Sequence, residues 1–353
     1  MMKRRKTRVI KVGKVKIGGA NPVCIQSMAK TDTRDVGKTV SQIRKLEKCG
    51  CEIVRVAVKD TDAARAIGAI KKRIKIPLVA DIHFSFRLAL EAIKSGADKI
   101  RINPGNISKP EDLKTIIRAA KKRKIPIRIG LNSGSLPRSG SYPQSRSPLR
   151  VTYSVDNFIK FFEKQGFHDI IVSLKSSSVP ETVEAYRKLA GRCDYPFHLG
   201  VTAAGPYNTG TVKSSIGIGA LLLDGIGDTI RVSLTGDPFE EVIAAKRILE
   251  ALGLRRFGPD IISCPTCGRC RVDLVKIVNE LEKRLYAMRY ALYAKPLTIA
   301  IMGCEVNGPG EAREADIGIA FGKGSGLLFK KGKVVKKVKA RDAVKELLAS
   351  LRS

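Results

Sequence analysis

Residues 77–105 read PLVADIHFSFRLALEAIKSGADKIRINPG, and the alternation inside this stretch decides the fold. "PLVADIHF" (77–84) and "KIRINPG" (99–105) are short β-branched runs of the kind that form buried parallel strands. Between them "RLALEAIKSG" keeps its apolar residues at helical spacing and closes on Gly96, a residue suited to a helix C-cap. The same strand–helix unit recurs on both sides. "PVCIQSM" (22–28) and "EIVRVAV" (52–58) precede it; "PIRIGLNSG" (126–134), "DIIVSLK" (169–175), "FHLGVT" (197–202) and "TIRVSLT" (229–235) follow. Amphipathic segments such as "VGKTVSQIRKLEKCG" and "FEEVIAAKRILEALG" separate them. Eight such alternations predict a (β/α)8 TIM barrel. A doubly wound sheet would more often carry a Gly-rich turn after its first strand, and "CIQSM" offers none.

After "LGLRRFGPD" the pattern changes to a cysteine loop, a helix, a strand, a second loop with Cys304, more strand, a "KKGK" hairpin and a final helix. This divides the chain into a barrel domain, 1–255, and a smaller α+β domain, 256–353. No internal repeat beyond the alternation and no low-complexity linker interrupts it.

Composition narrows the class. The 353 residues are 43% hydrophobic, ordinary for a packed globular chain. The longest apolar runs, such as "IGIGALLL" (216–223), fall short of the roughly 20 residues that span a bilayer, and no signal-peptide core follows the basic start. A soluble, cytoplasmic protein is expected. Eight cysteines in a chain this long do not make a disulfide scaffold, which also fits a reducing compartment. The net charge of +33 is spread along the whole sequence, aromatic content is 5% and Trp is absent, so nucleic-acid stacking is poorly served. A basic surface would equally attract an acidic protein or a phosphorylated small molecule.

Residues two apart on a strand share a face. That pairs Asp81 with His83, Arg101 with Asn103, Arg128 with Asn132, and Arg231 with Ser233, each in the C-terminal part of its strand, where barrel enzymes build their sites. Arg55 and Lys175 stand at corresponding places. Guanidinium groups buried in strands are costly unless an anion meets them, and their planar forks suit phosphate oxygens. The bland alternative gives each Arg a carboxylate partner or a place under an outer helix. "GTVKSSIGIG" (210–219) would add Lys213, Ser214 and backbone N–H groups at a helix N-terminus, a further phosphate cradle.

"CPTCGRC" (264–270) followed by "MGCEVNGPGE" (302–311) has the spacing of zinc or iron–sulfur ligands. Four thiolates are available if Cys270 takes part; three thiolates and a carboxylate if Glu311 does. A zinc ribbon would normally show a second Cys-x2-Cys or a His pair, so the spacing favours an iron–sulfur cluster. Cys24, Cys49, Cys51 and Cys193 lie in apolar contexts and read as structural thiols.

In order and over nearly the whole chain, "VCIQSM", "TDTRD", "GCEIVRVAV", "PLVADIHF", "KIRINPGN", "IRIGLNSGS", "KSSIGIG", "GIGDTIRVSLT", "CPTCGR" and "GCEVNGPGEAREADIGIA" resemble the bacterial 4-hydroxy-3-methylbut-2-enyl diphosphate synthases. The resemblance implies reductive ring opening and dehydroxylation of 2-C-methyl-D-erythritol 2,4-cyclodiphosphate in the non-mevalonate isoprenoid pathway, with a [4Fe-4S] cluster and electrons from ferredoxin or flavodoxin. It implies Cys264, Cys267, Cys304 and Glu311 as cluster ligands. It further implies Arg55, Arg101, Arg128, Lys175, Asn132, Arg231 and Ser233 at the diphosphate, and Asp81, His83, Asn103 and Thr202 near the reacting carbons. A homodimer is implied, with the cluster of one chain covering the barrel mouth of the other. One departure stands out: where the family reads Thr-Glu-Ala-Gly, this chain has "VTAAG", with Ala203 in place of a glutamate proposed as proton donor or orienting acid. General acid catalysis of that kind is worth ~10²–10⁴-fold, so the resemblance leaves open a chain that binds and turns over slowly.

Overall fold

The computed structural model describes residues 3–103, 106–107, 109–132, 148–287 and 297–352. It forms two compact units, Met1–Arg255 and Arg256–Ser353.

The first unit opens with a hairpin that the strand count above does not anticipate, β1 (Ile10–Val12) and β2 (Val15–Ile17). Gly13 takes the left-handed position its two-residue turn requires, at φ 54°. Ile10, Val12 and Ile17 pack on Cys24, Ile53, Val79 and Ile171. Those are residues at or near the starts of four barrel strands, so the hairpin closes the barrel floor.

The barrel itself runs β3 (Cys24–Met28), α1 (Val36–Cys49), β4 (Ile53–Val58), α2 (Thr61–Lys71), β5 (Leu78–Ile82), α3 (Phe86–Lys94), β6 (Lys99–Ile102), α4 (Pro110–Arg123), β7 (Ile127–Asn132), α5 (Pro148–Lys164), β8 (Ile170–Lys175), α6 (Val179–Ala190), β9 (His198–Leu199), α7 (Tyr207–Leu223), β10 (Thr229–Ile230) and α8 (Pro238–Ala251). Among the described residues the sheet has eight strands in the order β8-β7-β6-β5-β4-β3-β10-β9, and a parallel bridge from Val172 to Phe197 joins its two ends. This is the (β/α)8 barrel that the alternation predicts. Local chemistry supports it: Asp35, Asp60, Ser178 and Asp237 accept backbone N–H bonds at the starts of α1, α2, α6 and α8, and Gly50 ends α1 in the left-handed conformation. Helix α1 buries Val40, Ile43 and Leu46 on one stripe, each contributing about 1.5–3 kcal/mol of transfer free energy.

Two expectations need correction. The run "TIRVSLT" is strand only at Thr229–Ile230. Arg231 N still donates to Leu199 O of β9 at 3.0 Å; beyond it Leu234 N donates to the Glu241 carboxylate at 3.1 Å and Thr235 N to Gly205 O at 2.9 Å, so Ser233 rides on the segment that leaves the barrel. Residues 210–219 do not open a helix, because α7 has already begun at Tyr207. Lys213 therefore sits on the exposed side of the second turn and Ser214 on the buried side, and the N–H groups near them belong to the helix interior.

The second unit is a five-stranded sheet, β11 (Asp260–Ser263), β12 (Thr298–Met302), β13 (Ile317–Phe321), β14 (Gly326–Lys330) and β15 (Lys333–Val338), in sequential order. The first three strands are parallel and the last two add antiparallel. Alternate residues go to opposite faces. Ile299, Ile301, Ile317 and Ile319 pack under α9 (Leu274–Ala287) and α11 (Ala343–Arg352), the latter preceded by a 3₁₀ turn. Ala300, Met302 and Ala320 pack with Ala312 of α10 (Gly308–Glu314). Close approach of α10 requires glycine in β13, since a Cβ on Gly318 would fall 2.2 Å from Ala312 O.

Candidate active site

The parallel register sets Asp81 of β5 beside Arg101 of β6, and Arg101 beside Arg128 of β7. Arg101 is the hub: its NH1 donates to Asp81 Oδ1 at 3.0 Å and contacts His83 Nε2 at 3.0 Å, and its NH2 donates to Gly130 O at 3.2 Å. Only glycine fits at position 130, where a Cβ would lie 2.8 Å from Arg101 Nε and 3.0 Å from Ser173 Oγ. Arg55 Nε stands 3.6 Å from the other oxygen of Asp81 and also faces Met28 Sδ at 3.1 Å. Burial by itself would raise the Asp81 pKa; Arg55, the His83 hydrogen bond, Arg101 and Arg128 outweigh it and hold the carboxyl well below its ordinary range. Asp81 is therefore a fixed anion serving three basic neighbours, and it does not offer a proton.

Other cations have no carboxylate among the described residues. Arg128 is 1% exposed; its NH1 donates to Ser173 Oγ at 3.3 Å, and its Nε and NH2 are buried with no partner among the described residues. Lys175 ends β8 with its Nζ 3.3 Å from His198 Nε2. Burial, then the charges of Arg128, Arg55, Arg231 and Arg101, push Lys175 well below the ordinary lysine value. His198 is pushed well below the ordinary imidazole value, first by burial and then by Lys175, which leaves it a neutral acceptor. Buried guanidinium N–H groups without acceptors are expensive in a folded protein, and an anion entering the barrel would meet them.

Arg231 differs. Its guanidinium makes a two-point pair with the buried Glu241 carboxylate at 3.1 Å, and its NH1 donates to Ser233 Oγ at 2.7 Å. For this arginine the carboxylate-partner alternative is the one the structure carries. Asn103 is buried, with its backbone O accepting from Asn106 N at 2.9 Å; Thr202 is half-buried past the end of β9, its N bonded to Ser176 O at 3.1 Å. Asn132 ends β7 opposite Lys175, and its side chain lies outside the described residues, as do 133–134 and 104–105 at the ends of two expected strands. Ala203 is exposed at φ 49° and brings no ionisable group to this rim.

Lys99, Gln26, His198 and Glu241 complete the interior without having been singled out from the sequence. Lys99 and His198 were findable: each lies on a strand already identified, and Lys99 shares the face of Arg101 by the two-residue repeat. Glu241 falls among Val242, Ala244, Ala245 and Ile248 on the buried side of α8, where a lone carboxylate signals a buried cation.

In the second unit, β11 and β12 are adjacent and parallel, so the loops after Ser263 and Met302 leave from the same edge. Cys264, Cys267 and Cys270 lie on the first loop and Cys304 on the second. Arg271 N donates to Gly303 O at 2.8 Å and Gly303 N to Cys264 Sγ at 3.3 Å, tying the two loops together. Gly303 makes room for sulfur: a Cβ there would sit 2.3 Å from Cys270 Sγ and 3.5 Å from Cys264 Sγ. Cys267 is exposed, and hydrogen bonding from the Arg269 backbone lowers its pKa toward the thiolate that binds metal. Glu311 is exposed in the first turn of α10, which starts four residues after Cys304. Cys270 instead donates to Val272 O at 3.3 Å and packs against the apolar core. Among the described residues no three Cys, His, Asp or Glu side chains are gathered around one point. The donor chemistry of the two tied loops suits an iron–sulfur group. Cys24 and Cys51 are buried thiols, Cys24 held well above and Cys51 pushed up to about 12 by desolvation, as inert core residues should be. Among the described residues no helix is long and apolar enough to cross a membrane.

A model of the GcpE TIM-barrel domain matches residues 7–246, and one of the GcpE protein C-terminal domain matches residues 260–353. A protein of Caldanaerobacter subterraneus subsp. tengcongensis is 55% identical over 99% of this chain and 98% of its own length. One of Thermodesulfovibrio yellowstonii is 54% identical over the whole of both chains. Both are named 4-hydroxy-3-methylbut-2-en-1-yl diphosphate synthase (flavodoxin). Among solved structures, dihydropteroate synthases of Stenotrophomonas maltophilia (TM-score 0.53, 12% identity) and Coxiella burnetii (TM-score 0.51, 16% identity) align with 70% of this chain and 98% and 99% of theirs, a likeness of fold alone. Matched by family models in both of its units and more than half identical to relatives along its full length, the chain belongs to the GcpE family of 4-hydroxy-3-methylbut-2-en-1-yl diphosphate synthases.

Proposed function

We propose that the barrel mouth binds 2-C-methyl-D-erythritol 2,4-cyclodiphosphate through Arg55, Arg101, Arg128 and Lys175, and that the C-terminal unit holds a [4Fe-4S] cluster through Cys264, Cys267, Cys304 and Glu311. The reaction is the reductive opening of that ring to 4-hydroxy-3-methylbut-2-enyl diphosphate in isoprenoid biosynthesis, the step for which the relatives are named. The observation that carries the site assignment is the Arg128 guanidinium, buried with two nitrogens unpaired beside Lys175 and Arg101.

The chain's own residues divide the work. Arg128 and Lys175 neutralise the diphosphate, and Asp81 fixes the Arg101 fork so that one edge stays oriented toward the mouth. Glu241 and Ser233 hold Arg231 and make it a positioning residue for the segment after β10. Asn103, Asn132 and Thr202 supply neutral polar groups at strand ends, and Lys213 lies too far along α7 to use that helix's N-terminus. The bound cluster would supply single electrons and a Lewis-acidic iron, with a carboxylate as its most exchangeable ligand. Expulsion of the substrate oxygen as water also needs protons. Ala203 carries none, and the half-exposed His83, hydrogen-bonded to Arg101, is assigned as donor. Flavodoxin is the electron donor in this reading, and a net charge of +33 favours docking of an acidic protein. The chain is taken to act as a cytoplasmic homodimer, to be checked by sedimentation.

Anaerobic iron and sulfide analysis with turnover of the cyclodiphosphate by reduced flavodoxin tests the proposal. Bound iron with formation of the linear diphosphate supports it; bound zinc, or iron without turnover, overturns it. In the same assay Ala203→Glu should change turnover by less than about tenfold if His83 supplies the proton, whereas a gain of ~10²–10⁴-fold would remove His83 from that role.

A further inference from the structure

We infer that Lys99, one layer beneath the diphosphate site, takes up a proton when the substrate binds, and is thereby a positioning residue that adjusts the charge of the barrel interior to an anion at its mouth. The inference rests on the diphosphate reading above. Lys99 lies two residues before Arg101 on the same face of β6 and is fully buried. Its Nζ reaches Gln26 Oε1 at 3.4 Å, and the Gln26 amide nitrogen is itself buried without a partner among the described residues. Around Lys99, β3 contributes Cys24 and Gln26, β4 contributes Arg55, β7 contributes Arg128, and β5 places Val79 directly beside it. His198 of β9 feels its charge as well. The nearby carboxylate, Asp81, is already engaged by Arg101 and Arg55.

Six basic side chains, Arg55, Lys99, Arg101, Arg128, Lys175 and Arg231, thus share two carboxylates among the described residues, Asp81 and Glu241, and Glu241 also pairs with Lys30 at 3.2 Å. That excess cannot all be protonated cheaply in a buried site. Burial pushes Arg101, Arg128 and Arg231 below their ordinary values, but lysine starts lower and releases its proton first. Desolvation, with Arg128 and Arg55, brings Lys99 down to about 7. A multivalent anion at the mouth reverses the sign of the local field and draws the proton back. In the free protein Lys99 is charged below about pH 7 and neutral above it. Coupled uptake therefore appears above that value, fades on the acid side, and makes substrate affinity fall as pH rises.

The test titrates the cyclodiphosphate into oxidised holoenzyme, without reductant, at about pH 8 in two buffers of different ionisation heat. The proton count is compared among the unmodified protein, Lys99→Met and Lys99→Gln. Ligand ionisation and Lys175 contribute equally to all three and cancel. The expected result is a loss of up to about one proton per site in both variants, a pH dependence of affinity shallower by up to about tenfold per pH unit, and melting temperatures no lower than that of the unmodified protein, since a desolvated buried amine is removed. Equal proton uptake in all three, with the cyclodiphosphate bound, would overturn the role of Lys99 and leave the diphosphate site standing. No binding heat in any of them would sink the diphosphate site and this inference together.

Discussion

The barrel and the C-terminal unit prepare for their ligands in opposite ways. In the barrel the basic groups are buried and locked: Arg101 is held at three points, Arg231 at three, and Arg128 donates to Ser173 at 1% exposure. In the C-terminal unit the sulfur donors ride on loops at the ends of β11 and β12, and Cys267 and Glu311 are exposed. A rigid sheet fixes side chains in register before any ligand arrives, and the cost is unsatisfied buried charge. Loop donors carry no such cost, and the bonds that gather them come with the metal, as metal binding and local ordering are coupled. The difference means that defects should appear as stability changes in the barrel and as cofactor loss in the C-terminal unit.

The contrast breaks most readily at the thiols. Cys304→Ser should abolish iron retention and visible colour and reduce turnover by more than the roughly 10–100-fold typical of losing an outer-shell partner, while the barrel's melting is unchanged. Retention of full iron would remove Cys304 from the ligand set. Next in size, Glu241→Ala leaves Arg231 buried without its anion and takes an acceptor from Leu234 N; a loss of about 3–5 kcal/mol in denaturant unfolding is expected, with iron content unaffected. A loss of iron without a loss of stability would erase the division between the two units. The smallest effect sharpens it: Cys270→Ala should keep its iron and cost about 1 kcal/mol for the lost bond to Val272 O.

The barrel was legible because its strands are β-branched runs and its helices carry single apolar stripes, signals that act locally. What escaped was set by contacts distant in sequence. The Ile10–Ile17 hairpin is too short to register as part of an eightfold alternation, yet it seals the floor. Arg231 is read as part of the anion site because its strand position matches the others, and the carboxylate that holds it, ten residues on in α8, is not visible in that spacing. Lys213 reads as lying at a helix start from the segment "GTVKSSIGIG", although the polar "YN" before it is already helical. The same two-residue periodicity that finds Arg101 also marks Lys99, and a lysine on a wholly buried strand is a perturbed group. Spacing alone proposes the cysteine ligands; the hydrogen bond from Cys270 Sγ to Val272 O is what sets that thiol apart.

The central claim is that the unpaired cations inside the barrel are a site for a diphosphate. Calorimetric titration of the cyclodiphosphate into the oxidised protein and its Arg128→Met version tests it most directly. The account predicts that the variant melts no lower yet binds with about 2–5 kcal/mol less free energy, because a buried guanidinium that meets the anion is gone. Equal affinity in the two proteins would contradict it.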